Sequence, residues 1–270
     1  MIGLGEVERL VRIALLTGHI AQERPLSLLL ISKIEAGKTE LLKRYSQVPG
    51  VAWLDDATAY GIARRYKEEI EMGKIKHLIF PDMLRPLARA KETVQTFINF
   101  LNMVTEEGIS HIETFAQQNF ELKRGAQGRC GVLAGIAHGE MLDARHKWTR
   151  IGFLSRMLPV CWEYGDRTIY KIQDSLANRA YIGDKAEPLE LPVNPIPVQL
   201  STELAAKTIE TASKLGKAED VYGFRKQRQL QVLMMGNALL EGRDYVTEPD
   251  FEVMPGLSDY FILDKKLKVI

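Results

Sequence analysis

Cysteine is scarce in this chain: 270 residues contain only Cys130 and Cys161, with no CxxC spacing between them. A disulfide framework is excluded, and two free thiols packed in a core under reducing conditions are expected. Long apolar runs are also missing. The stretch from Leu26 to Ile31, broken by Ser27, is far short of the ~20 residues that span a bilayer. The N-terminal MIGLGEVERLVRIALLTG is interrupted by charges and lacks the cationic-then-apolar order of a signal peptide. A cytoplasmic protein with no membrane partner is therefore expected. Charge of one sign is absent too: 36 Lys+Arg oppose 35 Asp+Glu, a formal net charge of +1. That balance argues against a domain held to nucleic acid by bulk electrostatics, though local patches are left open. There is no internal repeat and no low-complexity tract. What is present is a 46% apolar composition, enough to bury a substantial core, on a length that suggests roughly two domains.

Periodicity along the chain supplies the architecture. Leu4, Val7, Leu10, Val11, Ala14 and Leu15 fall at helical spacing, with Glu6, Glu8, Arg9 and Arg12 mostly opposite. Short apolar runs at Pro25–Ile31, Val51–Leu54, Ile75–Phe80, Gly131–Ile136 and Pro159–Tyr164 read as strands. Helical segments at Thr39–Tyr45, Tyr60–Met72 and Val94–Glu107 lie among them. Strands alternating with helices at this spacing imply parallel crossovers, hence an α/β fold with a parallel sheet covered on both faces. Four prolines between Glu187 and Pro197 preclude a helix there. Beyond them Thr202–Leu215, Phe224–Leu240 and Glu248–Val253 read as helices. The expected organisation is a three-layer αβα core over residues 1–186, a Pro-rich linker over 187–197 and a small all-helical lid domain over 198–270.

The strongest chemical signal is SKIEAGKT, Ser32 to Thr39, which follows the first strand and opens a helix. In that context GxxxxGK[ST] is a phosphate cradle, or P-loop. Backbone N–H groups of the loop face the anion, the lysine reaches the β- and γ-oxygens, and the hydroxyl ligates Mg²⁺. The pattern assigns cofactor contacts to Ser32, Glu35, Ala36, Gly37, Lys38, Thr39 and Glu40. Ser32 stands where the motif has its first glycine, which is tolerable only if the backbone there avoids positive φ. Asp82 ends the apolar strand HLIF and is the expected carboxylate for the metal's water shell. ATP and Mg²⁺ are thus the expected cofactors, with Thr39 and Asp82 at the metal. The residue after Asp82 is Met83, so no carboxylate occupies the place from which water is usually polarised. Glu92, Glu106 and Glu140 are the alternatives considered.

With these motifs in place the sequence resembles the AAA+ ATPases, ring-forming P-loop machines, over most of its length. SKIEAGKT resembles the family's Walker A, and Phe80-Pro81-Asp82 its Walker B. The resemblance implies a sensor-1 strand at Cys130–Ile136, with His138 as the polar residue near the γ-phosphate; a histidine after a strand is equally a structural residue. It implies an arginine finger at Arg156 within GFLSR, where Met157 replaces the usual aromatic and Arg150 is the second candidate. The stretch from Gly223 to Val246 is similar to the lid of MoxR-like and MCM-like members, which makes Arg225, or Arg228 one turn on, the sensor-2 arginine. By this resemblance Lys38, Asp82, Arg156 and His138 are catalytic, and ATP sits between core and lid.

Two surface segments complete the reading. Gly108–Gln127 is long enough for an inserted hairpin carrying Lys123 and Arg124, and Arg145, His146, Lys147, Trp148 and Arg150 combine cations with an aromatic ring. The hairpin could meet DNA or polypeptide and the Arg145–Arg150 cations nucleic acid, but a solvated surface is the default reading of both. The functional expectation is an ATPase that assembles into a homo-oligomeric ring and remodels or translocates a DNA or protein client. The alternative, favoured by Met83, is a nucleotide-gated assembly module with little or no hydrolysis.

Overall fold

The computed structural model describes residues 1–114, 120–124, 128–180, 188–252, 259–261 and 267–270, with the backbone alone at 109–114 and 120–124. In chain order the elements are α1 (Gly5–Thr17), β1 (Leu28–Ser32), α2 (Lys38–Lys43), β2 (Val51–Trp53), α3 (Ala59–Glu71), β3 (His77–Phe80), α4 (Leu84–Leu87) and α5 (Lys91–Glu106). There follow β4 (Ile109–Thr114), β5 (Phe120–Arg124), β6 (Gly131–Ala137), α6 (His138–Arg150), β7 (Leu158–Glu163), α7 (Asp166–Ala177), α8 (Thr202–Ala218), α9 (Phe224–Leu240) and β8 (Lys268–Val269).

Six strands form one parallel sheet in the order β2-β3-β6-β1-β7-β8. The expected α/β class and parallel sheet are therefore observed. β1 is buried along its whole length, and its side chains alternate between two cores as the strand's two-residue period requires. Leu28 and Leu30 pack with α1, α2 and α9, whereas Leu29 and Ile31 pack with α3, α5 and α6. Helices thus cover both faces. Each fully buried leucine of this kind contributes roughly 1.5–3 kcal/mol.

Local chemistry starts several of the helices. The Thr58 hydroxyl accepts the Gly61 N–H at 3.0 Å to cap α3, and Ser201 accepts from Leu204 N–H at 3.2 Å to cap α8. Besides the one-turn α4, two longer helices, α6 and α7, have no counterpart in the sequence expectations. The first is rich in charge and buries only Met141 and Trp148, so its periodicity is faint. The second buries no residue at all. The expected insertion between the third and fourth core strands is an antiparallel hairpin, β4 with β5. Lys123 and Arg124 belong to β5, but their side chains fall outside the described residues, as does the expected turn at 125–127.

The C-terminal segment departs from a free-standing lid in two ways. First, α9 packs directly on α1, and both contribute to the same apolar cluster as β1 and β7. Gly236 permits the approach, since a Cβ there would lie 2.8 Å from Thr17 Cγ2 and 2.9 Å from Ile13 Cγ2. Arg9 Nη2 donates to Asn237 Oδ1 at 2.9 Å and to Glu241 Oε1 at 2.7 Å. Asn237 passes the network on to Asp250, which Arg243 grips through both Nη atoms at 2.8 Å. Second, β8 returns to the main sheet and pairs with β7, shielding a strand edge that would otherwise be open. The Pro-rich stretch forms no helix over 188–197, as its prolines require. It is pinned to the turn after α1, where Ile196 N–H donates to His19 O at 2.8 Å and Ala21 N–H to Ile196 O at 2.9 Å.

Among the described residues no helix is long and apolar enough to cross a membrane. Cys130 and Cys161 are free and buried, and burial pushes both thiols up to about 12, so neither is a nucleophile at neutral pH.

Candidate functional site

The central strand β1 delivers the Ser32–Thr39 loop beyond the C-terminal edge of the sheet, where α/β folds leave a crevice for ligands. Ser32 is the last residue of β1, and its backbone is not among those with positive φ; Glu35 (φ 65) and Gly37 (φ 76) take the left-handed positions. Because Ser32 stays in strand geometry, the missing first glycine leaves the loop unstrained at that point. Gly37 has no such freedom to be replaced. Beyond its left-handed φ, a Cβ there would stand 3.2 Å from Leu4, Met1 and Tyr164 side-chain atoms. Tyr164 also holds the loop from outside, its hydroxyl donating to Ala36 O at 3.0 Å. The loop's flank is tied to β7 by Lys33 and Glu163, 2.6 Å apart.

Lys38 folds back over the loop, donating to Ser32 Oγ at 2.8 Å, Lys33 O at 2.9 Å and Ser32 O at 3.1 Å. Burial lowers its ammonium to about 8, and the nearby Asp82 charge opposes the shift. Loop carbonyls thus hold the cation where an anionic oxygen would hold it better. Asp82 is fixed by accepting Leu84 N–H at 3.0 Å and lies 4.0 Å from Arg85. A cavity of about 500 Å³ is lined by Gly37, Lys38, Thr39, Glu40, Asp82 and Glu140, together with loop residues Ile34–Ala36, Pro81, Leu84 and the Gly135–Ala137 strand end. Its size is that of ordinary small-ligand sites. Across the loop, a cleft of about 780 Å³ is lined by Met1, Ile2, Glu35, Gly37, Tyr164, Ile172 and Leu176. Its wall sets the Tyr164 ring and the aliphatic Ile172 and Leu176 beside Glu40 and Arg44.

No group of three or more His, Cys, Asp or Glu side chains placed to hold a metal occurs among the described residues. Mg²⁺ bound with a nucleotide needs only one or two protein ligands, the rest being phosphate and water. Thr39 and Asp82 on one cavity fit that demand.

The structure separates residues expected at one site. Ser32, Glu35, Ala36, Gly37, Lys38, Thr39, Glu40 and Asp82 stay together. Glu140, in the first turn of α6, lines their cavity, whereas Glu106 lies at the other end of the sheet. Met83 is fully buried, with its N–H donating to Gly135 O at 2.8 Å. His138 opens α6 beside Ala137 but is not among the cavity's lining residues, and its Nε2 is buried without a hydrogen-bond partner.

Arg225 and Arg228 require a correction. Expected at the phosphate cradle from within the same chain, they sit instead at the N-terminal edge of the sheet with Arg156. Arg225 Nε donates to Glu106 Oε2 at 3.0 Å and Nη1 to Ser155 Oγ at 3.2 Å, while Arg228 pairs with Glu23 at 3.1 Å. The cause is the neighbouring Lys226. Its buried Nζ donates to Met157 O at 2.8 Å and pairs with Glu219 at 2.9 Å, which nails the start of α9 to the chain just before β7. Arg156 itself donates to Gly152 O at 2.6 Å. The cationic stretch on α6 is also less open than expected. Trp148 is buried, edge-on to Phe153 with ring centres 5.1 Å apart, and Arg145 donates to Ala218 O at 3.1 Å. No indole face is left there for a base.

The Lys38 environment carries a pH dependence. A phosphate ligand on this loop would engage the protonated amine, so the affinity of such a ligand should fall as pH rises through about 8, approaching about tenfold per pH unit well above it. Stability of the ligand-free chain should move the other way. The folded state binds fewer protons than the unfolded one between about 8 and the ordinary lysine value of roughly 10.4, so stability rises with pH over that window. Calorimetric ATP titrations at pH 7, 8 and 9 check the first sign; an affinity constant over that range would remove Lys38 from the phosphate contact.

No protein-family model matches the chain, and no curated protein shows significant similarity to it, so the reading of the site rests on its own residues.

Proposed function

We propose that this chain is an ATP-binding protein of AAA+ type that takes MgATP at the Ser32–Thr39 loop and works as an assembly of several copies. The observation that carries this reading is the convergence of Lys38, Thr39, Asp82 and Glu140 on one cavity at the C-terminal edge of a parallel sheet. Backbone N–H groups of the loop and Lys38 would bind the β- and γ-phosphates, and the apolar cleft beside Tyr164 would take the base. Bound Mg²⁺ would neutralise phosphate charge from Thr39 and Asp82. Glu140 is the carboxylate suited to orient a water and accept its proton, in place of the residue that Met83 displaces. Arg156 and, by its position, Arg225 would act on the nucleotide of a neighbouring copy, since both lie on the opposite edge from their own cradle. An arginine supplied across an interface stabilises charge in the transition state and makes turnover depend on assembly. The client would be DNA or a protein.

Replacing Glu140 with Gln separates hydrolysis from binding. Steady-state phosphate release should fall by about 100-fold or more, as expected for loss of a general base, while ATP affinity stays within about twofold. Equal turnover in the variant and the parent would exclude Glu140. The second reading, a nucleotide-gated recruitment module, is favoured by Met83, whose fully buried side chain places no carboxylate after Asp82. Phosphate release no faster than background from the assembled wild-type protein would select it.

A further inference from the structure

At the N-terminal edge of the sheet, far along the strands from the ATP cradle, three guanidiniums converge on one carboxylate. Glu106, the last residue of α5, meets Arg24 through Oε1. Through Oε2 it meets Arg225 at 3.0 Å and Arg156 at 3.8 Å. Arg228 lines the same basin, and Arg129 is close enough to act on Arg24. Among the described residues, Glu106, Glu23 beside Arg228, and Glu107 facing Arg156 stand against these five cations, which leaves an excess of two positive charges. Like-charged guanidiniums crowded in this way are each destabilised by the others. Arg24 Nε and Arg156 Nε are buried with no hydrogen-bond acceptor among the described residues. The basin encloses about 50 Å³, room for roughly three or four water-sized groups. That is the size of one phosphoryl group and too small for a whole nucleotide.

We propose that this basin is a second phosphate-binding site, and that Glu106 is a built-in occupant which an incoming phosphoryl group displaces. The carboxylate mimics the ligand: its two oxygens already take charge-assisted bonds from Arg24 and Arg225, with Arg156 within ion-pair range, that phosphate oxygens would take instead. With Glu106 displaced the described side chains of the basin hold an excess of three positive charges, which a dianion offsets more fully than a single carboxylate, and its oxygens would satisfy the Nε groups that Glu106 leaves orphaned. The basin bridges three separate parts of the chain, namely the segment before β1, the segment before β7 and the start of α9. Occupation would therefore clamp the C-terminal helices to the sheet. The phosphoryl group has two possible sources, free phosphate or the terminal phosphate of a nucleotide carried by a second copy of this chain; only the second rests on the function proposed above.

The test for the first source titrates inorganic phosphate into the chain carrying Lys38→Ala, so that the cradle is disabled, and reads binding by calorimetry. Adding Glu106→Gln should tighten binding by about tenfold, and adding Arg24→Ala should weaken it by at least about tenfold. Arg225→Gln, at a half-exposed position, is the milder change should Arg24→Ala fail to fold, and should weaken binding in the same direction. For the second source, light scattering of the otherwise wild-type chain should show that Glu106→Gln lowers the ATP concentration needed for self-association. Phosphate binding that responds to these variants establishes the site. Absent phosphate binding together with eased association assigns the site to a second copy's nucleotide. Phosphate binding indifferent to Glu106→Gln, Arg24→Ala and Arg225→Gln, with association unaltered by Glu106→Gln, overturns the proposal. If the wild-type chain fails to bind ATP at all, the cradle reading falls while the phosphate titration still judges the basin.

Discussion

Substitution of Lys38 by alanine should weaken ATP binding by about 100-fold. The ammonium makes three hydrogen bonds to the loop's own oxygens, two carbonyls and the Ser32 hydroxyl, and a phosphate group would compete with them as a fully charged acceptor. Hydrogen bonds between charged partners contribute ~1.5–3 kcal/mol each, so losing one or two of them at the β- and γ-phosphates amounts to that factor. Folding should survive. Lys38 is itself a desolvated cation whose burial is unfavourable, and an alanine there also suits the first turn of α2. Calorimetric titration of ATP into wild-type and variant chains, with thermal melting as the control for folding, is the direct measurement. Unchanged affinity in a folded variant would remove the cradle from the site, and with it the proposed function.

Substitution of Lys226 by alanine should have the largest effect on stability, about 3–5 kcal/mol. Lys226 and Glu219 are 1% and 6% exposed, and the ammonium also serves Met157 O. Truncation leaves the Glu219 carboxylate buried without its counter-charge and a carbonyl without its donor. Burial pushes Glu219 up and Lys226 down from their ordinary values, and each one's charge opposes the other's shift. The pair is therefore tolerated only as a pair. Urea denaturation should show the midpoint falling sharply for Lys226→Ala. The double variant Lys226→Met with Glu219→Gln, which removes both charges, should recover most of the loss. A single variant within about 0.5 kcal/mol of wild type would show that α9 is anchored by its apolar face alone. Arg225 precedes Lys226, so the same truncation should also loosen the arginine basin and weaken phosphate binding there.

Much of the sheet was legible because a buried strand followed by an amphipathic helix leaves its period in consecutive residues. The five core strands and the helices α1, α3, α5, α8 and α9 are each close to where apolar spacing puts them. α6 escaped because two buried side chains in thirteen residues make no stripe, and α7 because it buries nothing. β8 is two residues long and forms only because β7 offers it an edge, a fact held by no local pattern. In the site, Ser32–Thr39 and Asp82 were readable because a loop between strand and helix needs particular residues in consecutive order. Glu140 could be named only as one of three glutamates, since nothing local distinguishes it from Glu92 or Glu106.

What the sequence determined by itself is therefore the alternation of strands and helices, the parallel sheet it entails, and a glycine-lysine-threonine loop at the end of the central strand. Short-range spacing carries all of these. The tertiary structure alone decided at which edge of the sheet each charged group stands. It brought Glu140 to the Ser32–Thr39 loop, sent Glu106 to the opposite end, and gathered Arg225, Arg156 and Arg24 around that carboxylate with Arg228 lining the same basin. The physical reason is that α9 is positioned by contacts far apart in the chain: Gly236 against α1, Asn237 with Arg9, and Lys226 beneath Met157. Each of those is an unremarkable residue until the partner that makes it necessary is in place.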